Sequence, residues 1–301
     1  MNGVNDASGA NGATSFGDRL DVVFSAYGHL CLGIDPHAGL LEAWGQPDSA
    51  EGVREFGLRV VEAAAGRVGI VKPQVAFFER HGAAGYAALE RVLHDARDAG
   101  LLVIADVKRG DIGTTVDAYG EAWLRPGSPL EADAMTISAY QGLGSIEQVM
   151  IAADAAGKGL FVLAATSNPE AAAIQRAVLQ QSSRAGSTVA QAITQGVIGW
   201  NQGRADAASR VFGAIGVVFG ATTDLAPAGI DTNAEPPRPG LPVLAPGFGH
   251  QGAEPGDLRL RFGSFAGGVI ANESRSLLGA GPEGLADAIA RRVDEYGAVS
   301  V

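Results

Sequence analysis

An apolar run that is typical of a buried strand ends in three charged residues, Asp106, Lys108 and Asp111. Burying such charges in a hydrophobic core is unfavourable unless they are paired and hydrogen-bonded. Because side chains two apart on a strand share a face, Asp106 and Lys108 are expected on one side, with Asp111 in the following turn, close enough to join them. Flanking carboxylates keep a lysine protonated and hold it in one orientation. The pattern predicts a fixed cation for chemistry, although a purely structural ion cluster produces the same pattern.

The ends of other predicted strands are polar as well, which favours a catalytic interpretation. A pair such as Asp35-Pro36 is, taken alone, more typical of a turn. The recurrence of polar residues at the same end of successive strands is what indicates a site. The segments concerned are residues 33–36 (G-I-D-P), 71–74 (V-K-P-Q), 138–140 (S-A-Y), 166–168 (T-S-N) and 220–222 (G-A-T).

The elements that must position these residues are short apolar runs that alternate with amphipathic stretches. Helical spacing is clear in residues 16–27, 50–66 and 83–99, where apolar side chains recur three and four positions apart. Strands that alternate with such helices predict parallel βαβ units, and about eight units predict an α/β protein with a single-domain (β/α)8 TIM barrel. The predicted strands are residues 30–35, 68–72, 101–106, 132–137, 160–165, 215–220, 242–245 and 268–271.

Three segments depart from this rhythm. Residues 1–15 are small and polar, which predicts a disordered N-terminal tail before a barrel domain of residues 16–301. Residues 169–201 are long enough for an extended fifth helical segment with an insertion, and residues 229–240 predict a loop. No boundary between two domains is indicated.

A glycine-rich segment, residues 246–252 (P-G-F-G-H-Q-G), follows the seventh strand and contains G-x-G-x-x-G. Glu273 lies about 20 residues further on, as in a dinucleotide-binding fingerprint. We reject that interpretation because the motif closes a series of βα units instead of opening one. Glycines such as Gly249 would let backbone N–H groups approach a phosphate, and Arg275 after the eighth strand would supply a cation, unless it is a solvated surface residue.

Composition excludes several classes of protein. The 301 residues include 33 acidic and 22 basic ones, net charge −11, so no general basic surface is available for nucleic acid or an anionic membrane. Neither a membrane span nor a signal peptide is evident, and a cytoplasmic protein is predicted. The single cysteine, Cys31, lies in an apolar run and is expected to be a buried structural thiol. The histidines lack metal-site spacing, so no metal is predicted.

The motif with its following residues, D-x-K-x-x-D-I-G-x-T, resembles the signature of orotidine 5'-phosphate decarboxylases. The resemblance is supported by residues 30–37, 71–79, 166–169 and 246–252, and it extends from residue 16 to Arg275. Within the family, these segments are most similar to the longer bacterial subfamily found in actinobacteria. The resemblance implies a cofactor-free decarboxylation of orotidine 5'-phosphate to uridine 5'-phosphate in a barrel enzyme that forms homodimers. His250 receives no role on this view.

The resemblance also implies roles for individual residues. Lys108 is the proton donor, flanked by Asp106 and Asp111, and Asp35 and Lys72 hold the ribose hydroxyls. The remaining roles concern the base, the phosphate and the partner subunit: Ser167 (or Thr166 or Asn168) faces the pyrimidine, Gln251 and Arg275 bind the phosphate, and Asp111, Ile112 and Thr115 reach into the neighbouring site of the homodimer.

Decarboxylation at C6 leaves an anion in the plane of the ring, without a conjugated electron sink. A fixed ammonium is therefore needed to stabilise the charge and protonate the carbon. Alternatives remain open: a Mg²⁺-dependent phosphosugar lyase or decarboxylase with the same motif, a nucleotide-binding regulator without catalysis, and an oxidoreductase that uses the G-x-G-x-x-G segment.

Overall fold

A computed structural model describes residues 14–181 and 183–298, and its parallel strands close into a barrel in sequence order. The predicted (β/α)8 TIM barrel is confirmed, and each strand lies within a few residues of its predicted position. The strands are β1 (Leu30–Ile34), β2 (Ile70–Pro73), β3 (Leu102–Arg109), β4 (Ala134–Ile137), β5 (Gly159–Ala165), β6 (Ile215–Phe219), β7 (Val243–Pro246) and β8 (Val269–Glu273).

Helices surround the barrel, and their buried faces are those that the apolar spacing predicts. In Ala50–Ala64, for example, Val53, Phe56 and Val60 are buried, and Ser49 caps the first turn by accepting a bond from Gly52 N. The α-helices are α1 (Phe16–Tyr27), α2 (Ala38–Ala43), α3 (Ala50–Ala64), α4 (Ala76–Glu79), α5 (Gly82–Asp98), α6 (Gly113–Leu124), α7 (Glu147–Ala155), α8 (Ala172–Gln175), α9 (Val189–Gln202), α10 (Leu258–Phe262), α11 (Arg275–Leu278) and α12 (Gly281–Gly297).

The barrel closes where the first and last strands pair. Leu32 of β1 is in register with Glu273 of β8, so residues that are distant in sequence become neighbours. Because all strands run parallel, their carboxyl ends form one rim, and the polar segments predicted for strand ends meet there.

The irregular segments are close to their predicted positions. Residues 169–201 contain the 3-10 turn Pro169–Ala171, the short α8, a bridge between Val178 and Thr188, and then α9, so the insertion precedes the long helix. Between the turn Ala226–Ala228 and β7 there is neither helix nor strand, as predicted for residues 229–240.

Two further predictions concern the start of the chain and the cysteine. Residues 1–13 of the predicted tail lie outside the described residues, whereas Ser15 is buried and caps α1 by accepting a bond from Asp18 N. Cys31 is fully buried in β1, and burial raises the pKa of its thiol to about 12, as expected of a structural cysteine. Within residues 14–181 and 183–298, no helix has the length and apolarity to cross a membrane.

Candidate active site

Most of the residues predicted for chemistry and binding line a cavity of about 280 Å³ at the carboxyl rim of the barrel. Three cavities in the described part of the chain are larger: two of about 450 and 730 Å³ are lined in part by residues 222–238, and one of about 390 Å³ lies between α6 and α7. None of the three is lined by a lysine. Convergent charged groups at the strand ends identify the 280 Å³ cavity as the candidate site, although its volume is at the lower end for ligand pockets. Among its lining residues are Asp35, Lys72, Gln74, Asp106, Lys108, Thr166, Ser167, Asn168, His250, Gln251, Asn272, Ser274 and Arg275.

Asp106 is the centre of the charged cluster and is almost fully buried. Its Oδ2 accepts hydrogen bonds from Lys72 Nζ at 2.8 Å and Gln74 Nε2 at 2.9 Å. Its Oδ1 accepts from Lys108 Nζ at 2.6 Å and Thr136 Oγ1 at 2.8 Å. Burial alone would raise the pKa of Asp106, but the two ammonium groups hold it well below the usual range. Asp106 is therefore a fixed carboxylate with both oxygens engaged.

The two lysines on Asp106 have different environments. The Lys72 side chain is 3% exposed and that of Lys108 is 46% exposed. Burial alone would lower the pKa of Lys72, but Asp106 and Asp35 raise it above the usual value, so Lys72 is a permanent cation. Enclosure lowers the pKa of Lys108; Asp106 opposes this effect and the Lys72 cation strengthens it. Lys108 thus faces the cavity and gives up its proton more readily than an ordinary lysine.

The backbone at Lys108 is unusual. Its φ is +46°, the one positive φ of a non-glycine residue in the described ranges, and the pairing of β3 with β4 shifts register between Ala105 and Arg109. Lys108 N donates to Thr136 Oγ1 at 2.9 Å, which helps to hold this conformation. Such backbone costs on the order of 1 kcal/mol or more and occurs most often at functional sites. Lys108 and Asp106 therefore meet as predicted, but through a bulge instead of regular strand alternation.

Two buried polar atoms in the lining have no hydrogen-bond partner in the described part of the chain. They are Asp35 Oδ1, after β1, and Ser274 Oγ, after β8. Buried polar groups in proteins are almost always hydrogen-bonded, so these two atoms lack the partner that such groups normally have.

The glycine segment and Arg275 form another side of the cavity. Arg275 is exposed, and no described side chain forms an ion pair with its guanidinium, so the cation is available to an anion. Gly249 N donates to Ala253 O at 2.7 Å within the loop, and Gly249 has a φ of +68°. Its N–H group is thus already used, and Gly249 shapes the loop instead of presenting its own donor to a phosphate. Gln251 lines the cavity as predicted.

All three candidates for contact with a base, Thr166, Ser167 and Asn168, line the cavity. Thr166 Oγ1 donates to Asn168 Oδ1 at 2.8 Å and accepts from Gln175 Nε2 at 3.0 Å. In the described part of the chain, the hydroxyl of Ser167 alone among the three side chains has no partner. Ser167 is therefore the one best able to bond to a ligand.

Asp111, Ile112 and Thr115 lie outside the cavity lining. Asp111 Oδ1 accepts from Ile112 N at 2.8 Å, and no described contact joins Asp111 to Lys108. The expected closeness of Asp111 to the Asp106–Lys108 pair is not found within this single chain; the Asp111 carboxylate bonds to the backbone of the next residue instead. Ile112 is 59% exposed, and Thr115 is exposed.

Sequence reasoning gave no role to several residues of the site. Gln74 belongs to a segment recognised as a polar strand end, which was a usable signal. Thr136 lies inside an apolar strand and becomes part of the site only through the pairing of β3 with β4. Asn272 and Ser274 adjoin Arg275, and His250 lines the cavity although no role was predicted for it.

Comparison with known proteins gives consistent matches. The family described as "Orotidine 5'-phosphate decarboxylase / HUMPS family" matches residues 28–288. The orotidine 5'-phosphate decarboxylase of Salinispora tropica is 48% identical over 269 residues, covering 89% of this chain and 91% of the relative. That of Nocardioides sp. is 44% identical over 281 residues, with 93% and 98% covered.

Solved structures match over the whole barrel. A crystal structure presented as an orotidine 5'-phosphate decarboxylase from Streptomyces avermitilis has a TM-score of 0.86 and 43% identity, covering 95% of this chain and 96% of that one. The OMP decarboxylase of Leishmania donovani has a TM-score of 0.68 and 27% identity, covering 95% and 100%.

Proposed function

This chain belongs to the orotidine 5'-phosphate decarboxylase / HUMPS family, and on that premise we propose how its residues act. It is a carboxy-lyase of pyrimidine biosynthesis that converts orotidine 5'-phosphate to uridine 5'-phosphate and CO2, as its relatives at 44–48% identity are named. The observation that carries the assignment of roles is the unequal pair of lysines on Asp106: both line the cavity, but the Lys108 side chain is far more exposed than that of Lys72.

Lys108 is the group that stabilises and then protonates C6. When the bond between C6 and the carboxylate breaks, its electron pair stays on C6 in the plane of the ring. The Lys108 ammonium offsets this charge and donates one proton to C6, leaving a neutral amine that regains a proton from solvent. Its lowered pKa suits a donor that must give up its proton, while buried Lys72 stays charged and holds Asp106 in place.

Asp106 has two effects in this scheme. It orients Lys108 through the 2.6 Å bond, and it places negative charge near the departing carboxylate. Like charges held close together disfavour the bound substrate more than the transition state. In the transition state the negative charge moves from the carboxylate to C6, and the carboxylate becomes neutral CO2.

The other polar groups bind parts of the substrate that do not react. Asp35 and Lys72 hold the ribose hydroxyls, supported by the unpartnered Asp35 Oδ1. Ser167 faces the pyrimidine, supported by its free hydroxyl, and Gln251 and Arg275 bind the phosphate. Binding energy from the phosphate is then available to hold the base against Lys108. No cofactor is required in this scheme.

The working form is a homodimer with shared sites. Ile112 and Tyr140 are 59% and 76% exposed near the carboxyl ends of β3 and β4, as apolar residues of an interface would be in a separated chain. Asp111 and Thr115 would enter the neighbouring cavity from this surface. The cytoplasmic location expected from the sequence stays a prediction.

Mixing two inactive variants tests the sharing of sites. Lys108→Ala chains retain Asp111, and Asp111→Asn chains retain Lys108, so a mixed dimer has one intact composite site. Random exchange should restore about a quarter of the unaltered activity. Activity that stays at the level of the separate variants would contradict shared sites.

The reaction is tested by the ultraviolet absorbance of orotidine 5'-phosphate after protein is added, with a metal chelator present throughout. We expect rapid conversion to uridine 5'-phosphate. Conversion that stops in chelator would favour a Mg²⁺-dependent relative, and binding of uridine 5'-phosphate without conversion would favour a regulator.

A further inference from the structure

Glu273 is a fully buried carboxylate that lies behind the proposed phosphate site and does not line the cavity. It is the last residue of β8, and three side chains contact its oxygens. Ser276 Oγ donates at 2.8 Å to Oε2, Tyr296 Oη donates at 3.0 Å to Oε1, and Arg292 Nε lies 3.3 Å from Oε1. Ser276 belongs to α11, and the other two belong to α12.

The same cluster contacts the glycine loop, residues 246–252. A Cβ placed on Gly249 would lie 2.6 Å from Glu273 Oε2, so the loop backbone passes directly over the carboxylate. The ring of Phe248 meets the ring of Tyr296 edge to face at 6.0 Å between centroids. Arg292 also pairs with Glu254, just beyond the loop, at 3.1 Å. The Glu273 carboxylate thus bonds to side chains of α11 and α12, and the loop backbone packs against it at Gly249.

One of the two arginines in this region pairs with Glu273, and the other is left available to bind an anion. Arg275 is two residues from Glu273 in sequence, yet the carboxylate pairs with Arg292 of α12. The guanidinium of Arg275 lines the cavity and forms no ion pair with a described side chain.

A purely structural role does not readily explain a buried glutamate. Ion pairs of this kind contribute little net stability compared with well-packed apolar residues, because both charges lose their hydration. Burial also raises the pKa of Glu273, and the bonds from Ser276, Arg292 and Tyr296 oppose this effect only in part. What the carboxylate provides is directional bonding to several segments at once.

We propose that Glu273 is a positioning residue for the phosphate site: it fixes the loop at Gly249 and the first turn of α11, and so sets the distance between the loop and Arg275. The proposal rests on the proposed function, because it assigns the phosphate to Gln251 and Arg275. Glu273 touches no substrate atom and acts through these residues.

The variant Glu273→Gln tests this role, since it keeps the shape and removes the charge. We measure kcat and KM for orotidine 5'-phosphate and kcat/KM for orotidine, which lacks the phosphate. Misplacement of the phosphate site should lower kcat/KM for the phosphorylated substrate about 30-fold, mainly through KM, and leave the value for orotidine within about twofold.

The matched control is Glu131→Gln at the opposite end of the barrel, where Glu131 also pairs with a buried cation, Lys158. It should lower the melting temperature and leave the ratio of the two kcat/KM values unchanged. If Glu273→Gln does not fold, Tyr296→Phe removes one bond to the carboxylate and should change the ratio in the same direction by a smaller factor.

An equal loss for both substrates, or no loss for either, would overturn the positioning role and leave a structural one. These outcomes are separate from a failure of the proposed function, which would appear as an absence of conversion by the unaltered chain.

Discussion

The barrel contains a cluster of buried charges at each end, and only one of them forms a candidate active site. At the amino ends of β4 and β5, Lys158 Nζ bonds to Glu131 at 2.8 Å, and Arg19 bonds to Asp133 at 2.6 Å. At the carboxyl ends, Lys108 Nζ bonds to Asp106 at 2.6 Å. The ion pairs themselves are nearly the same in length and chemistry.

The two clusters differ in the exposure of their lysine side chains and in the backbone conformation at the lysine. The side chain of Lys158 is 7% exposed and lies within 4 Å of two carboxylates, Glu131 and Asp133, whereas that of Lys108 is 46% exposed and opens onto a cavity. Lys108 also has the strained backbone of a bulge. An ion pair alone is thus no sign of catalysis; an ion pair with one partner free to meet a ligand is.

The largest expected effect follows from Lys108→Ala. Without the ammonium, C6 has neither charge stabilisation nor a proton source, so kcat should fall by at least about 10⁴-fold. Affinity for uridine 5'-phosphate, measured by calorimetry, should stay largely intact, because the ribose and phosphate groups are bound by other residues. Retained turnover would remove Lys108 from the role of proton donor.

The next effect concerns Asp106→Asn, which leaves the Lys72 and Lys108 ammonium groups without their shared carboxylate. We expect kcat/KM to fall about 10³-fold, because the orientation of Lys108 is lost, and the free energy of unfolding to drop by about 3 kcal/mol. Steady-state kinetics measures kcat/KM, and urea unfolding measures the free energy of unfolding. A variant that unfolds more easily but turns over normally would mean that the cluster at the carboxyl ends is purely structural, like the one at the amino ends.

The converse substitution is Lys158→Met in the cluster at the amino ends of β4 and β5. The buried Glu131 carboxylate loses its ion pair with Lys158 and keeps the one with Arg97, so the free energy of unfolding should fall by about 3 kcal/mol. Turnover of the folded enzyme should be unchanged within about twofold, since Lys158 is at the far end of the barrel. A large decrease in kcat without loss of stability would contradict the division between the two clusters.

The smallest effect is a shift in pH dependence. Because the pKa of Lys108 lies below that of an ordinary lysine, about 10.4, the active ammonium is lost as pH rises through this lowered value. The alkaline decrease of kcat/KM should therefore have its midpoint below about 10.4 in a pH–rate profile. A midpoint at or above the ordinary value would show that enclosure does not weaken the proton affinity of Lys108.

The strand positions and the central charged pair of the candidate site could be predicted from sequence, because the patterns that indicate them are local. Strand positions follow from apolar runs, and Asp106 and Lys108 from one short motif. The role of Thr136 could not be predicted, since it depends on pairing between strands, nor could the φ of Lys108. The sequence places Glu273 only in a possible dinucleotide fingerprint, because its partners Arg292 and Tyr296 lie on a helix that only folding brings near.

Closure of the barrel between β1 and β8 has a kinetic consequence. Asp35 directly follows β1, and Arg275 begins α11 just after β8, so the two residues adjoin strands that are neighbours in space although the residues are 240 positions apart in sequence. Contacts of such long range form late in folding, since a large loop must be ordered before they are made. During refolding, binding of the product should therefore return after most helical signal has returned, so that recovered affinity reports formation of this seam and not the earlier collapse of the chain.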